Sequence, residues 1–226
     1  MRNIDLYKMR KDQIRENMLK YTRKAFEFLP KHDNPYILDI GCGAGIPTMK
    51  LAKLSGGQIT GIDIDLSSLD RFRKKIKETG LMKQIEIVEK SMSILDFPDE
   101  YFDVIWAEGS IAAIGFEEGL KRWRRFVKLH GFLVIHDDIS DITKKIKLIS
   151  DYHYKLISKF IISQKVWWQK YYAPLEKLIQ EFHNNYLNDY ELIKELSKDQ
   201  VEMDRLKSNP LLFSSIFYII QREESK

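Results

Sequence analysis

The stretch D-I-G-C-G-A-G, residues 39–45, follows the apolar run Tyr36, Ile37 and Leu38 and precedes a helical pattern, so three glycines stand where a strand turns into a helix. Glycine reaches backbone angles closed to other residues and brings bare peptide N–H groups against a ligand at a helix start. A second apolar strand, residues 58–62, ends at Asp63, which lies 20 residues after Gly43, about where a nucleotide-binding fold sets its ribose-binding acid. Strand, glycine turn, helix, strand and acid in that order make a far narrower signature than a glycine motif alone.

Outward from this turn the pattern keeps alternating. Upstream, Ile14, Met18, Tyr21, Ala25, Phe26 and Leu29 share one face of a helix expected over residues 11–29 and stopped by Pro30. Downstream come a helix at 46–54 with Pro47 in its first turn, the strand 58–62, a helix at 66–79 closed by Gly80, strands at 84–89 and 102–106, a helix at 116–128 and a strand at 132–136. Strands separated by helices of this length fold as parallel βαβ units, which predicts an α/β, Rossmann-like, doubly wound sheet with helices on both faces. After Asp138 a helix near 142–152 leads to a strand near 154–162, whose alternate Lys155 and Lys159 mark a half-exposed or edge position. An aromatic-rich segment at 166–172 and two helices follow, and the apolar run 211–220 reads as the last strand. One domain over residues 1–226 is expected, with 1–30 as an N-terminal helical cap and 166–208 as a helical insertion.

Composition narrows the function classes. With 226 residues, 44% of them hydrophobic, the chain can bury a full core. Its one cysteine, Cys42, excludes an internal disulfide and stands in the glycine turn away from any second ligand, so no metal site is expected. No apolar run approaches the ~18 residues of a spanning helix, and the start M-R-N-I-D-L-Y-K lacks a signal peptide's apolar stretch; a soluble, cytoplasmic protein without a membrane partner is expected. The net charge of +4 is small beside 31% charged residues that mostly alternate in sign along helices. Nucleic acid is not the expected partner, because the basic clusters Lys74, Lys75, Lys77 and Lys144, Lys145, Lys147 are short and interleave with core-facing isoleucines. The sequence carries no signature of an oligomeric state.

Spacing also separates two nucleotide ligands. A dinucleotide fingerprint G-x-G-x-x-G needs a glycine at position 46, which is Ile46; the third glycine stands instead at Gly45. The pattern acidic-x-G-x-G-x-G, here Asp39, Gly41, Gly43 and Gly45, resembles motif I of the class I S-adenosylmethionine-dependent methyltransferases. F-D-V-I-W-A-E-G-S-I, residues 102–111, is similar to their fourth-strand region, and W-R-R-F-V-K-L-H-G-F-L-V-I, residues 123–135, to the helix, turn and fifth strand that follow. Over roughly residues 20–138 the chain resembles their small-molecule, quinone-biosynthesis-type branch. It departs from the pattern at Leu129 and His130, which replace the first two residues of a P-G-G turn, and at Ser91, where many relatives carry an acid. The resemblance implies a seven-stranded, mostly parallel sheet with an antiparallel last strand, S-adenosyl-L-methionine as cofactor and a small-molecule methyl acceptor as partner. It further implies that the turn from Asp39 through Gly41, Cys42, Gly43 and Gly45 holds the methionine part of the cofactor and that Asp63, with Ile64 beside it, binds both ribose hydroxyls. Ser91 and Met92 border the adenine, and Glu108 or Gly109 flank the sulfonium. The alternatives are an RNA methyltransferase, suggested by the basic balance, and a non-catalytic cofactor-binding regulatory protein.

A methyl on a sulfonium is already activated, so aligning an acceptor lone pair and excluding water supply most of the acceleration, roughly 7 to 11 kcal/mol. A hydroxyl or ring-carbon acceptor also needs a base, and the strand ends offer Glu108 and His136. Asp137 and Asp138 beside it equally suit a cap on the next helix. Trp167, Trp168, Tyr171 and Tyr172 are candidates for substrate binding through burial and cation–π attraction, and equally for a satellite core under the helical insertion.

Overall fold

In the computed structural model, which describes residues 1–209 and 213–224, the apolar runs on either side of the glycine turn become neighbouring strands. The strands are β1 (Tyr36–Ile40), β2 (Gln58–Asp63), β3 (Ile85–Glu89), β4 (Phe102–Glu108), β5 (Val127–Asp138), β6 (Tyr154–Ile162) and β7 (Ser215–Arg222). They form one seven-stranded sheet in the order β3-β2-β1-β4-β5-β7-β6, mostly parallel with the last strand antiparallel. β1 pairs in parallel with β2 on one side and β4 on the other, setting Ile40 opposite Ile62 and Asp39 opposite Trp106. The strand order therefore reverses at β1 and β4, and in an open α/β sheet the crevice beyond the carboxyl ends at such a reversal takes the ligand.

The helices are α1 (Asn3–Glu16), α2 (Leu19–Phe26), α3 (Ile46–Ser55), α4 (Leu66–Glu78), α5 (Phe116–Trp123), α6 (Ile142–Asp151), α7 (Gln164–Trp167), α8 (Ala173–Asn185) and α9 (Tyr190–Ser208). Two compact units are present, Met1–Lys20 with Ile161–Ser215, and Tyr21–Phe160 with Ile216–Lys226. In the second, Leu38, Ile40, Ile105, Leu133 and Ile135 bury their side chains with Trp123 in one core. Each such burial is worth about 1.5–3 kcal/mol, enough to fix which face of every strand points inward. In the first, Tyr7 packs with Leu178, Phe182, Leu196 and Met203, and its buried hydroxyl donates to the Asp199 carboxylate over 2.6 Å. The N-terminal helix and the inserted helices, read from sequence as separate additions, thus share a core.

Three boundaries differ from the periodicity. The helix expected at 11–29 starts earlier, at Asn3, is interrupted after Glu16 and restarts at Leu19; at the interruption the Asn17 side-chain amide donates to the Lys170 carbonyl over 3.1 Å. The helix expected to run to residue 128 ends at Trp123, and after one 3-10 turn the chain enters β5 at Val127, opposite Phe102. Between that pair and Val104 opposite Phe132, β5 carries extra residues, accommodated by His130 at φ 62°. The expected turn at 129–131 is therefore an irregularity inside one long strand. The last strand starts at Ser215; residues 211 and 212 of the expected run lie outside the described residues.

Two glycines of the turn separate local strain from packing. Gly45 caps α3 at φ 75°, and a Cβ there would lie 2.0 Å from the Phe72 ring; Gly43, at φ 52°, would place a Cβ with nothing within 4 Å. In urea unfolding, Gly43→Ala should lose about 1–2 kcal/mol from the left-handed backbone alone, and Gly45→Ala about 1–3 kcal/mol more from overpacking. Equal losses would contradict this placement of Phe72.

Candidate active site

The turn after β1 is fastened to the end of β2 by its own amides. Gly41 and Cys42 N–H both donate to the Ile62 carbonyl, at 2.8 and 3.0 Å, and Gly43 N–H donates to Asp63 Oδ2 at 2.8 Å. Asp63 Oδ1 accepts the amides of Ile64 and Asp65 at 2.7 and 2.9 Å. A carboxylate has about four lone-pair sites, so Asp63 keeps capacity for about one further donor, on Oδ2. Capping of α4 falls to Asp65, which accepts from Ser67 N–H, leaving Asp63 at the strand end.

A cavity of about 200 Å³ opens beyond these strand ends, lined by Gly41, Asp63, Ile64, Ser91, Met92 and Ile114 among others. Gly41 must lack a side chain here, since a Cβ would come within 2.4 Å of Ser110 Cβ. Ile64 lines the cavity and is 70% exposed. Met92 lines the cavity and also packs against the core beneath it. Ser91 Oγ accepts the Ser93 amide at 3.3 Å. The Cys42 thiol turns away into the core, 3.1 Å from where a Cβ on Gly61 would stand, and burial raises its pKa above the ordinary thiol value. Cys42 therefore offers a ligand only its backbone.

Glu108 ends β4 and lies opposite His136, two residues before the end of β5. Thr22, fully buried on α2, sends its hydroxyl toward both Glu108 oxygens, at 3.1 and 3.0 Å, and the Trp106 indole N–H donates to Oε2 at 3.0 Å. His136 is 6% exposed, and its ring stacks on Phe217 with centroids 4.5 Å apart. Gly109, at φ 81°, donates its N–H to the His136 carbonyl over 3.1 Å. Asp137 and Asp138 do not cap α6. Both pair with buried Lys145, at 2.7 and 3.0 Å; burial alone would lower the ammonium's pKa, and the two carboxylates hold it above the ordinary value. Sequence reasoning missed Thr22 and Lys145, since each acts on a residue that no periodicity links to it.

The aromatic group sits in the first unit. Trp167 is 9% exposed, donates to Ser215 Oγ over 2.7 Å and meets the rings of Tyr171 and Tyr172 at 5.8 and 5.9 Å. Trp168 and Tyr172 both pack on Phe213. One π-helical turn, Trp168–Tyr172, brings these rings together; Trp167 is buried and the other three are half-buried. Among the described residues no cluster of His, Cys, Asp and Glu has the arrangement of a metal site, and no helix is long and apolar enough to cross a membrane.

A parallel sheet reversing at β1, a glycine turn and a carboxylate on the next strand define an α/β protein whose ligand crevice lies at its strand ends. Residues 37–131 match the family model described as a methyltransferase domain, a stretch that holds the glycine turn, Asp63, Ser91 and Glu108 and stops before His136. That match covers 95 of the 226 residues, and the seven-stranded sheet has the Rossmann-like fold of solved methyltransferases. The chain is 29% identical over 150 residues to the demethylmenaquinone methyltransferase of Lactobacillus johnsonii, covering 62% of this chain and 59% of that one. Curated relatives are matched over only part of their length, 22%, 41% and 27% for three of them. Among solved structures, the [4+2]-cyclase SpnF superposes with a TM-score of 0.76 at 15% identity, over 92% of this chain and 81% of that one. A methyltransferase from Geobacter sulfurreducens in complex with S-adenosyl-L-homocysteine gives 0.72 at 16% identity, over 91% and 90%.

Asp39, the acid that opens the turn, is 2% exposed and accepts from Thr48 Oγ1 over 2.6 Å, tying β1 to α3. Burial pushes its pKa up to about 7; the Thr48 hydrogen bond works against this, and the charges of Glu108 and Asp63 work with it. A carboxyl that titrates higher folded than unfolded favours the fold below its ordinary value of 3.8 and loses that contribution as pH rises toward about 7. Between about pH 4 and pH 7 the wild type should therefore lose a few kcal/mol of stability relative to Asp39→Asn, at ~1.4 kcal/mol per pH unit. Parallel curves of urea midpoint against pH for the two proteins would contradict a raised Asp39.

Proposed function

We propose that the chain is an S-adenosylmethionine-dependent methyltransferase acting on a small-molecule acceptor. The observation that carries this reading is the meeting of Gly41, Asp63, Ile64, Ser91 and Met92 around one cavity at the strand reversal. At about 200 Å³ it is smaller than the roughly 300–1,000 Å³ of pockets that enclose whole drug-sized ligands, which suits the nucleoside end of the cofactor. The open side of Gly43 leaves bare backbone for the amino-acid end. In this reading Asp63 Oδ2 takes a ribose hydroxyl, Ser91 Oγ accepts from the adenine amino group, and Ile64 and Met92 give the base its apolar contacts. The lining fits that ligand: the Asp63 carboxylate, the hydroxyls of Ser91 and Ser93, and apolar side chains including Ile64, Met92 and Ile114 around a glycine, with Lys90 beside them.

The cofactor, when bound, supplies an activated methyl. The residues around it have to align the acceptor and exclude water, and Glu108 with His136 at the ends of β4 and β5 are the groups to receive a proton from a hydroxyl or carbon acceptor. Relatives named as demethylmenaquinone and sterol methyltransferases support a small apolar acceptor over RNA. A cytoplasmic location belongs to the same reading, supported by a single cysteine. Calorimetry with S-adenosylhomocysteine tests it. Wild type should bind at the micromolar level, and Asp63→Ala should weaken binding at least about tenfold by removing a charged acceptor. No measurable binding by the folded wild type would overturn the proposal.

A further inference from the structure

Thr22 lies in the middle of α2 with no exposed surface, and its hydroxyl is shared between the two oxygens of Glu108, at 3.1 and 3.0 Å. A hydroxyl carries one proton, so this is a forked bond that holds the carboxylate plane rather than one oxygen of it. Trp106 fixes the second direction, its indole N–H meeting Oε2 at 3.0 Å from within the same strand. Both donors are neutral, so they orient the carboxylate without cancelling its charge. Its field reaches the glycine turn, where it helps to raise the pKa of Asp39. A fixed negative charge at the end of β4 attracts a cation and is indifferent to a neutral molecule of the same shape.

We propose that Thr22 is a positioning residue: its hydroxyl aims the Glu108 carboxylate so that the site prefers the cationic form of the cofactor over the neutral product. The inference rests on the methyltransferase reading and deepens it, because S-adenosylmethionine carries a sulfonium and S-adenosylhomocysteine a neutral thioether. Preference for the cation gives the site a reason to release product after transfer. The assignment also explains a residue that is otherwise awkward: a β-branched, polar side chain buried on a short helix, where desolvating an unbonded hydroxyl is costly.

Calorimetry on the full chain with three probes tests it, namely S-adenosylmethionine, S-adenosylhomocysteine and sinefungin, whose protonated amine stands in for the sulfonium. Wild type should bind the two cations more tightly than the thioether. Thr22→Val, close to isosteric, should lose about five- to tenfold in affinity for both cations and less than about twofold for the thioether, the loss of one hydrogen bond to a charged group. Thr22→Ser should restore the preference, and Glu108→Gln should abolish it. Losses that run in parallel for all three probes, or equal affinities in the wild type, would overturn the inference while leaving cofactor binding intact. Failure of the wild type to bind any probe would instead overturn the methyltransferase reading. Should Thr22→Val fail to fold, Thr22→Ala carries the same three-probe comparison: a loss confined to the cations supports the inference, and parallel losses overturn it.

Discussion

The contact on which the site depends is the hydrogen bond from the Gly43 amide to the Asp63 carboxylate. It joins the turn after one strand to the end of its neighbour at 2.8 Å, and because its acceptor is charged it belongs to the stronger class, about 1.5–3 kcal/mol. The Gly41 and Cys42 amides add two bonds to the Ile62 carbonyl, so the turn is seated on β2 at three points. Such a seat requires bare backbone on both sides. Gly61, opposite Asp39 in the parallel register, leaves the room that the Cys42 side chain takes, and Gly45 leaves the room for Phe72. The glycines that read as a ligand motif therefore do three separate things: one faces the cavity, one leaves backbone open, and one lets α4 pack against the turn.

Three carboxylates surround that seat, and each is stabilised differently. Asp39 is buried and hydrogen-bonded to Thr48, and its raised pKa shifts it toward the neutral form. Asp63 accepts three backbone amides. Glu108 is held by two neutral side chains. Crowding acids in this way costs stability, and the cost is met where charge is useful: the two groups held by orienting donors are those at strand ends, and the one shifted toward neutrality lies in the core.

Much of this was legible in the sequence because it is local. The order of strands and helices follows from period-2 and period-3.6 patterns, and the cradle occupies adjoining segments whose spacing is set by one βαβ unit. What periodicity missed depends on side-chain partners outside the local pattern, some of them far along the chain. The break after Glu16 preserves the apolar spacing of Ile14, Met18 and Tyr21, so that spacing does not show it; Asn17 there bonds to Lys170. Trp123 ends a helix whose basic and apolar pattern continues for several residues, because Val127 finds a strand partner in Phe102. Asp137 and Asp138 resemble helix caps by position and are instead claimed by Lys145, a residue that reads as part of a solvated basic run. Thr22 belongs to the same group: nothing within a few residues of it announces an acceptor on β4.

The two sides of the site are built differently, and this bears on what decides the reaction. From β1 to β3 a ligand would meet the glycine turn, the Asp63 carboxylate, Ser91 and the apolar side chains of Ile64 and Met92. At the ends of β4 and β5 it would meet Glu108, His136 and the groups that hold them, Thr22 from α2, Trp106 from β4 and Phe217 from β7. A substitution on this second side alters charge or proton transfer without disturbing the first. A fold does not by itself set the chemistry it hosts. In the proposed enzyme, α2 and β4 converge on the Glu108 carboxylate, and a change at Thr22 would act through the orientation of that group.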